Sequence, residues 1–378
     1  MRSETIAVHA GGEPDPATGG VAPPIYLATT FEHGPASEPT HGHLYIRESN
    51  PLQSRLEEAL AAIEGGETAL VFASGMAAGS ALLQNLPSGS HVIFGDDIYY
   101  DFRNVAREFL PRLGITATFA DLGDLDAVAA QIRPETRLLW AESPSNPMMK
   151  IVDLAALARI ARASGARFLV DGTFATPVVQ RPLELGADVV LHSTTKYFGG
   201  HSDVQGGALV FKTRDASVEA VQRTRKVLGG VASPFNSWLV LRGLRTLFCR
   251  VERQSSSALL LARALARSAA VETVYYPGLE ADPGHAIARR QMKGFGGMLS
   301  FRVKGGREEA IGVARRVKLF LTATSLGGVE SLIEHRASIE GPASTTPQNL
   351  LRVSVGLEHP DDLVEDLRQA LGEGDRPR

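Results

Sequence analysis

Short apolar runs recur through the first half of the chain, each ending in small or polar residues. Ala69–Ala73, His91–Phe94, Arg137–Ala141, Phe168–Asp171, Asp188–Leu191 and Ala208–Phe211 have the length and apolar character of buried strands. Helical patterns lie between them. Ser54 reads as the cap of a helix running to Glu64, with Glu57 three residues later completing a capping box. Ser74–Gly79 opens a helix to about Leu86, and Asp153 caps another over Leu154–Ser164. Strand and helix in alternation predict a mostly parallel sheet covered on both faces.

Beyond about residue 215 the pattern changes. Pro234–Arg267 is helical nearly throughout, broken once at Gly243. It leads to strands at Met298–Val303 and Leu350–Val355 and helices at Glu308–Leu319 and Asp361–Leu371. The first stretch is rich in Gly, Pro, His and Thr and predicts an extended arm in need of a surface to lie on, such as a neighbouring subunit. The expected organisation is an arm over residues 1–50, a large domain over 51–230, and a bridging helix with a smaller α/β domain over 231–378. The tail from Gly372 to Arg378 is expected to be unstructured.

The strand ends carry the candidate chemistry. Asp188–Leu191 runs into Ser193, Thr194, Thr195, Lys196 and then Gly199-Gly200. Hydroxyls at such a strand end can hold a phosphate while the amine bonds to a carbonyl on the same ligand, as lysines do with carbonyl substrates and with pyridoxal phosphate (PLP). Taken alone, Lys196 reads more readily as a solvated surface charge. Asp171 lies 25 residues earlier at the end of another apolar strand, an interval that fits a crossover between neighbouring parallel strands. A carboxylate facing a pyridine nitrogen keeps the ring protonated and makes it an electron sink; as an isolated residue, Asp171 before Gly172 is a turn former. Ser74-Gly75-Met76 makes a ready anion site at a helix start. Tyr99 and Tyr100 end a strand where aromatic rings can stack on a planar ligand. Arg352 sits among apolar strand residues, where it needs either a substrate carboxylate or an internal ion pair.

Composition narrows the classes. A chain of 378 residues, 44% apolar, can bury a sizeable core, and a net charge of −3 gives no electrostatic footprint for nucleic acid or an anionic membrane. No run of 18 apolar residues predicts a membrane span, and the first residues lack a signal peptide's apolar region. The single cysteine, Cys249, excludes an internal disulfide, fits a reducing cytoplasm, and is expected as a small buried hydrophobe on a helix. His41 and His43 have no further ligands nearby, so no metal site is expected.

Several longer motifs resemble the Cys/Met-metabolism family of fold-type I PLP-dependent enzymes. They are Tyr45-x-Arg47-x-x-Asn50-Pro51, Ser74-Gly75-Met76-Ala77-Ala78, Ser145-Asn146-Pro147, Thr173-Phe174-Ala175-Thr176-Pro177, Ser193-x-Thr195-Lys196, Gly200-His201-Ser202-Asp203 and Ser325-Leu326-Gly327-Gly328. The resemblance covers nearly the whole chain and implies a mostly parallel sheet in a large domain with a smaller C-terminal α/β domain. By it, Lys196 would bind the cofactor covalently and Asp171 would face the pyridine nitrogen. Gly75, Met76, Ser193 and Thr195 would hold the phosphate, joined by Tyr45 and Arg47 of a neighbouring subunit in a homotetramer of two active dimers. Tyr99 would stack on the ring and serve as acid or base, with Asn146 near the ring's 3-hydroxyl. Ser325 and Arg352 would hold the substrate carboxylate.

The substrate mouth departs from the family pattern. Tyr100-Asp101-Phe102 replaces the usual Gly-Gly-Thr, and Ile339-Glu340-Gly341 replaces Met-Thr-His. Thr324 stands where cystathionine-handling members tend to carry Glu, so Asp101 or Glu340 becomes the candidate carboxylate for a distal ammonium. The implied activity is γ-elimination from a sulfur-containing amino acid, in the manner of cystathionine γ-lyase. Open alternatives are γ-replacement on an activated homoserine, methionine γ-lyase chemistry, and a specialised biosynthetic relative. A silent scaffold is disfavoured by Lys196, Asp171 and Arg352 standing together.

Overall fold

The computed structural model describes residues 1–342 and 344–373. Strands β1 (Thr68–Phe72), β2 (His91–Gly95), β3 (Thr116–Ala120), β4 (Thr136–Glu142), β5 (Arg167–Asp171), β6 (Val189–His192) and β7 (Gly207–Phe211) form one sheet in the order β1-β7-β6-β5-β4-β2-β3. The pairs from β6 through β5, β4 and β2 to β3 are all parallel, and β7 runs antiparallel to both its neighbours. Alternate residues of each strand enter different cores. Val71, Ile93, Leu139, Val170 and Val190 pack into one apolar cluster; Phe72, Phe94, Trp140, Leu169 and Val189 pack into another. That double burial is why these strands read as continuous apolar runs.

A second sheet holds β8 (Val271–Tyr275), β9 (Met298–Val303), β10 (Leu321–Thr322), β11 (Leu332–Glu334) and β12 (Leu350–Ser354), ordered β10-β11-β12-β9-β8 and antiparallel except for β10 with β11. The long helix Leu247–Leu265 joins the two regions. Its Arg250 donates to the Tyr197 carbonyl at 2.7 Å and its Gln254 to the Gly328 carbonyl at 2.7 Å. One helix thus anchors the loop after Lys196 and the loop around Ser325.

Local details differ from the sequence reading. Asn50, not Ser54, caps the helix Pro51–Glu64, accepting from Leu52 N–H at 3.0 Å, because Pro51 suits the first helical turn. Glu57 closes no capping box; it accepts from Val71 N–H and pairs with Arg225. The arm is not wholly extended, since Ser3–His9 is helical. The edge strand β3 went unread because it is only partly buried and lacks an apolar run. Cys249 lies on a helix as expected, but on its exposed side. Gly372 and Glu373 are folded against the domain, with Glu373 accepting from Ser268 at 2.6 Å, while residues 374–378 of the expected tail lie outside the described residues. No described helix is long and apolar enough to cross a membrane.

Candidate active site

The parallel strands β2, β4, β5 and β6 end on one edge of the large sheet, and β1, antiparallel to β7 as β6 is, ends there too. Side chains just beyond strand ends in such a sheet converge on a crevice. Here they line a cavity of about 330 Å³ that includes Gly75, Tyr99, Asn146, Asp171, Ser193 and Lys196. Met76, Asp101, Thr195, Thr324, Ser325, Glu340 and Arg352 border the same cavity, the last four supplied from the second sheet and its loops.

The turn after β1 is tightly built. Ser74 caps the helix Gly75–Leu83, its Oγ accepting from Ala77 N–H at 3.0 Å. A Cβ on Gly75 would stand 3.0 Å from the Ser193 Cβ, so the helix start and the Ser193 strand end approach as closely as glycine permits. Ser193 N–H donates to Thr173 Oγ1 at 2.9 Å, and the Thr195 hydroxyl exchanges hydrogen bonds with Gly206. These contacts fix the hydroxyl-bearing turn before Lys196.

Asp171 is buried and accepts from Thr173 N–H at 2.9 Å. Burial pushes its carboxyl above the usual range despite that bond, and no Lys or Arg pairs with it among the described residues. A buried carboxylate facing a cavity without a cation matches a protonated pyridine ring. Glu142 is its register partner across β4 and β5 and is also buried. Burial, then the neighbouring Asp171, holds the Glu142 carboxyl well above the carboxylate range, while its Oε2 accepts Tyr99 N–H at 2.7 Å.

Lys196 Nζ donates to Ser325 Oγ at 2.9 Å. Burial first, and then Arg352, lowers the Lys196 ammonium to about 8. Ser325 adopts φ of 115°, a region disfavoured for residues with a Cβ; this strained backbone turns its hydroxyl to Lys196 and its carbonyl to Arg352. Of the two readings of its burial, the internal ion pair is the one Arg352 makes. It lines the cavity and holds an internal pair, with Nη2 2.6 Å from Glu334 Oε2 and Nη1 donating to Asn146 Oδ1 at 3.1 Å.

Glu340 does not offer a free carboxylate to a substrate. Its Oε1 accepts from Arg336 at 3.1 Å and its Oε2 from Ser344 and Thr346 at 2.6 and 2.7 Å. Arg336, which sequence reasoning missed, also holds Glu334 at 3.1 Å, so Arg352, Glu334, Arg336 and Glu340 form one buried chain of alternating charge. The departure at Glu340 thereby has a local reason: it neutralises Arg336. Glu142 was missed as well, although its place at the end of an apolar strand was a usable signal. Tyr45 and Arg47 lie outside the cavity of their own chain. Tyr45 is exposed, Arg47 lies over its ring at 5.4 Å, and Arg47 donates to the Lys226 carbonyl.

The chain is similar to known proteins along nearly its whole length. The chain matches the model of the Cys/Met metabolism PLP-dependent enzymes over residues 4–372. It is 47% identical to a cystathionine gamma-synthase of Mycobacterium tuberculosis, over 97% of this chain and 96% of the relative. It is 41% identical to a cystathionine gamma-lyase of Bacillus subtilis, over 98% and 99% of the two chains. A crystal structure of metB from Corynebacterium glutamicum superposes with a TM-score of 0.96 at 40% identity, covering 98% of both chains. With Lys196, a buried Asp171 and a tightly closed glycine turn around one cavity, the chain belongs to the Cys/Met-metabolism family of PLP-dependent enzymes, of fold type I.

Proposed function

We propose that the protein catalyses γ-elimination from a sulfur-containing amino acid, releasing a thiol, a 2-oxo acid and ammonia. PLP, when bound, supplies an aldehyde for amines and a cationic ring that accepts electrons from the substrate's carbon atoms. Asp171 would stand at the ring nitrogen, Asn146 near the 3-hydroxyl, and Tyr99 on the ring face. Gly75, Met76, Ser193 and Thr195 would hold the phosphate. Tyr45 and Arg47 would complete that end from a partner subunit, in a homotetramer of two active dimers.

The observation carrying the reading is a division of acid and base across the cavity. Lys196, lowered to about 8, has an accessible neutral form able to take a proton from Cα and return it further along the substrate. Tyr99 is pushed up to about 12, first by burial and then by Asp101, so it keeps its proton and serves as an acid toward a leaving thiolate rather than as a base. Ser325 and Arg352 hold the α-carboxylate, and Thr324 borders the outer wall. With Glu340 already paired, Asp101 is the carboxylate left to meet a distal ammonium, as in cystathionine.

The 47% identity to a cystathionine gamma-synthase favours a second reading, γ-replacement on an activated homoserine. A panel of L-cystathionine, L-methionine and O-acylhomoserines, with 2-oxo acid release and thiol incorporation read in parallel, separates the two. Elimination predicts 2-oxo acid from cystathionine without added thiol. Product formed only when both an acylhomoserine and a thiol are present would replace it with the second reading.

A further inference from the structure

Asp101 is a half-buried carboxylate in the cavity wall with two hydrogen bonds and no cation. Its Oδ2 accepts the Tyr99 hydroxyl at 2.9 Å, and its Oδ1 accepts Asn104 Nδ2 at 3.3 Å. No described Lys or Arg forms an ion pair with it, although Arg336 and Arg352 border the same cavity. Those two are already committed to Glu334 and Glu340. A partly desolvated carboxylate with neutral partners retains most of its attraction for a cation.

The groups facing Tyr99 divide by sign. Asp101, on the same turn, opposes loss of the phenolic proton; Arg336 and Arg352, from the second sheet's side, favour it. Glu142 holds the Tyr99 backbone N–H, and Asp171, Lys196 and Glu340 share the cavity. Asp101 is thus the facing anion that hydrogen-bonds the hydroxyl itself. Burial is the larger cause that holds the proton, and whatever neutralises Asp101 removes the charged part of the opposition, leaving burial alone against the two arginines.

We propose that Asp101 is a positioning residue that tethers the Tyr99 hydroxyl, and that a substrate's distal ammonium, by pairing with the same carboxylate, releases the phenolic proton to the leaving sulfur. The inference rests on the elimination reading above and adds that one carboxylate links recognition of the substrate's far end to proton transfer. In the step, the Tyr99 O–H bond breaks as the S–H bond forms, with the C–S electron pair leaving on sulfur. Lys196, having already returned the Cα proton to the substrate, takes one from Cβ, whose C–H electron pair becomes the Cβ=Cγ bond, and passes it to the phenolate, so both groups end the step as they began. A thioether without a distal ammonium leaves Tyr99 tethered.

Asp101→Asn keeps an acceptor for the hydroxyl and removes the charge. In full-length holoenzyme grown with carbon-13-labelled tyrosine, the Tyr99 ring-carbon resonance, assigned by its loss in Tyr99→Phe, should titrate at a pH lower by about one unit or more in Asp101→Asn. Asp101→Gly should give the same direction. An unmoved titration in both variants refutes the tether, whatever the substrate proves to be. Kinetically, Asp101→Asn should lose kcat/KM for L-cystathionine by roughly tenfold more than for L-methionine, with part of the loss in kcat. Equal losses, or a loss confined to KM, would overturn the coupling. A wild-type enzyme that releases no 2-oxo acid from either substrate would sink the elimination reading and the coupling with it, and leave the tether to the titration.

Discussion

Two side chains set the chemistry at the residue scale. Lys196 is buried beside Arg352, which disfavours its ammonium and brings its proton affinity to about 8 from an ordinary 10.5. The consequence for the cofactor-free protein has a definite sign. Below pH 8 both folded and unfolded chains carry the charge, and the fold bears its desolvation. Between about 8 and 10.5 the folded chain sheds the proton while the unfolded chain keeps it, so stability from this group rises with pH. Lys196→Met should therefore raise the apoprotein's melting temperature near pH 7, and that gain should shrink toward pH 10. The same substitution should abolish the cofactor's protein-bound absorbance near ~420 nm and all turnover.

Arg352 gives the complementary case, because it holds Glu334, Asn146 and the Ser325 carbonyl at once. Arg352→Lys keeps a charge near Glu334 but cannot make all three contacts and present a fork to a carboxylate. KM should rise at least tenfold, consistent with about 1.5–3 kcal/mol for a charged hydrogen bond. An unchanged KM would leave Arg352 only its internal pair.

Glycines govern how closely backbone segments meet at the scale of elements. Gly207 opens β7, and a Cβ there would lie 2.2 Å from the Ser74 carbonyl oxygen and 2.5 Å from the Gly75 nitrogen. Gly207→Ala must push the turn after β1 away from the sheet, disturbing together the Ser74 cap and the helix start proposed to hold the phosphate. A cost of about 1–3 kcal/mol is expected from the clash. It should appear as a lower melting temperature and as faster cofactor loss on dialysis. Normal cofactor retention with lowered stability would show that the turn matters to the fold and not to the phosphate. The helix Leu247–Leu265 works at the same scale: Arg250 and Gln254 tie the Lys196 loop and the Ser325 loop to one rigid rod.

Across the whole molecule, one chain leaves the proposed phosphate end of its cavity without Arg47, which lies over Tyr45 on the outside. If Arg47 serves a partner's site, Arg47→Ala and Lys196→Ala proteins, each impaired alone, should complement when refolded together. The hybrid restores one site of each pair, so activity should recover to roughly a quarter of wild type on statistical mixing. No recovery would place Arg47 outside the partner's site.

The order of apolar runs, turn residues and hydroxyls was enough to determine an α/β architecture and to single out Lys196 and Asp171. Strands buried on both faces must be continuously apolar, and reactive side chains at their ends must interrupt that character, so both leave local marks. The bridging helix and both later main strands were legible for the same reason. What a window of sequence cannot hold is pairing between distant side chains. Glu340 read as a substrate ligand until Arg336, Ser344 and Thr346 closed around it, and Arg352 read as free or paired when it is both in the cavity and paired. The tether from Tyr99 to Asp101 spans two positions, yet its weight comes from arginines more than two hundred residues away. Charge in a buried wall is decided by its neighbours in space, and only the packed chain supplies them.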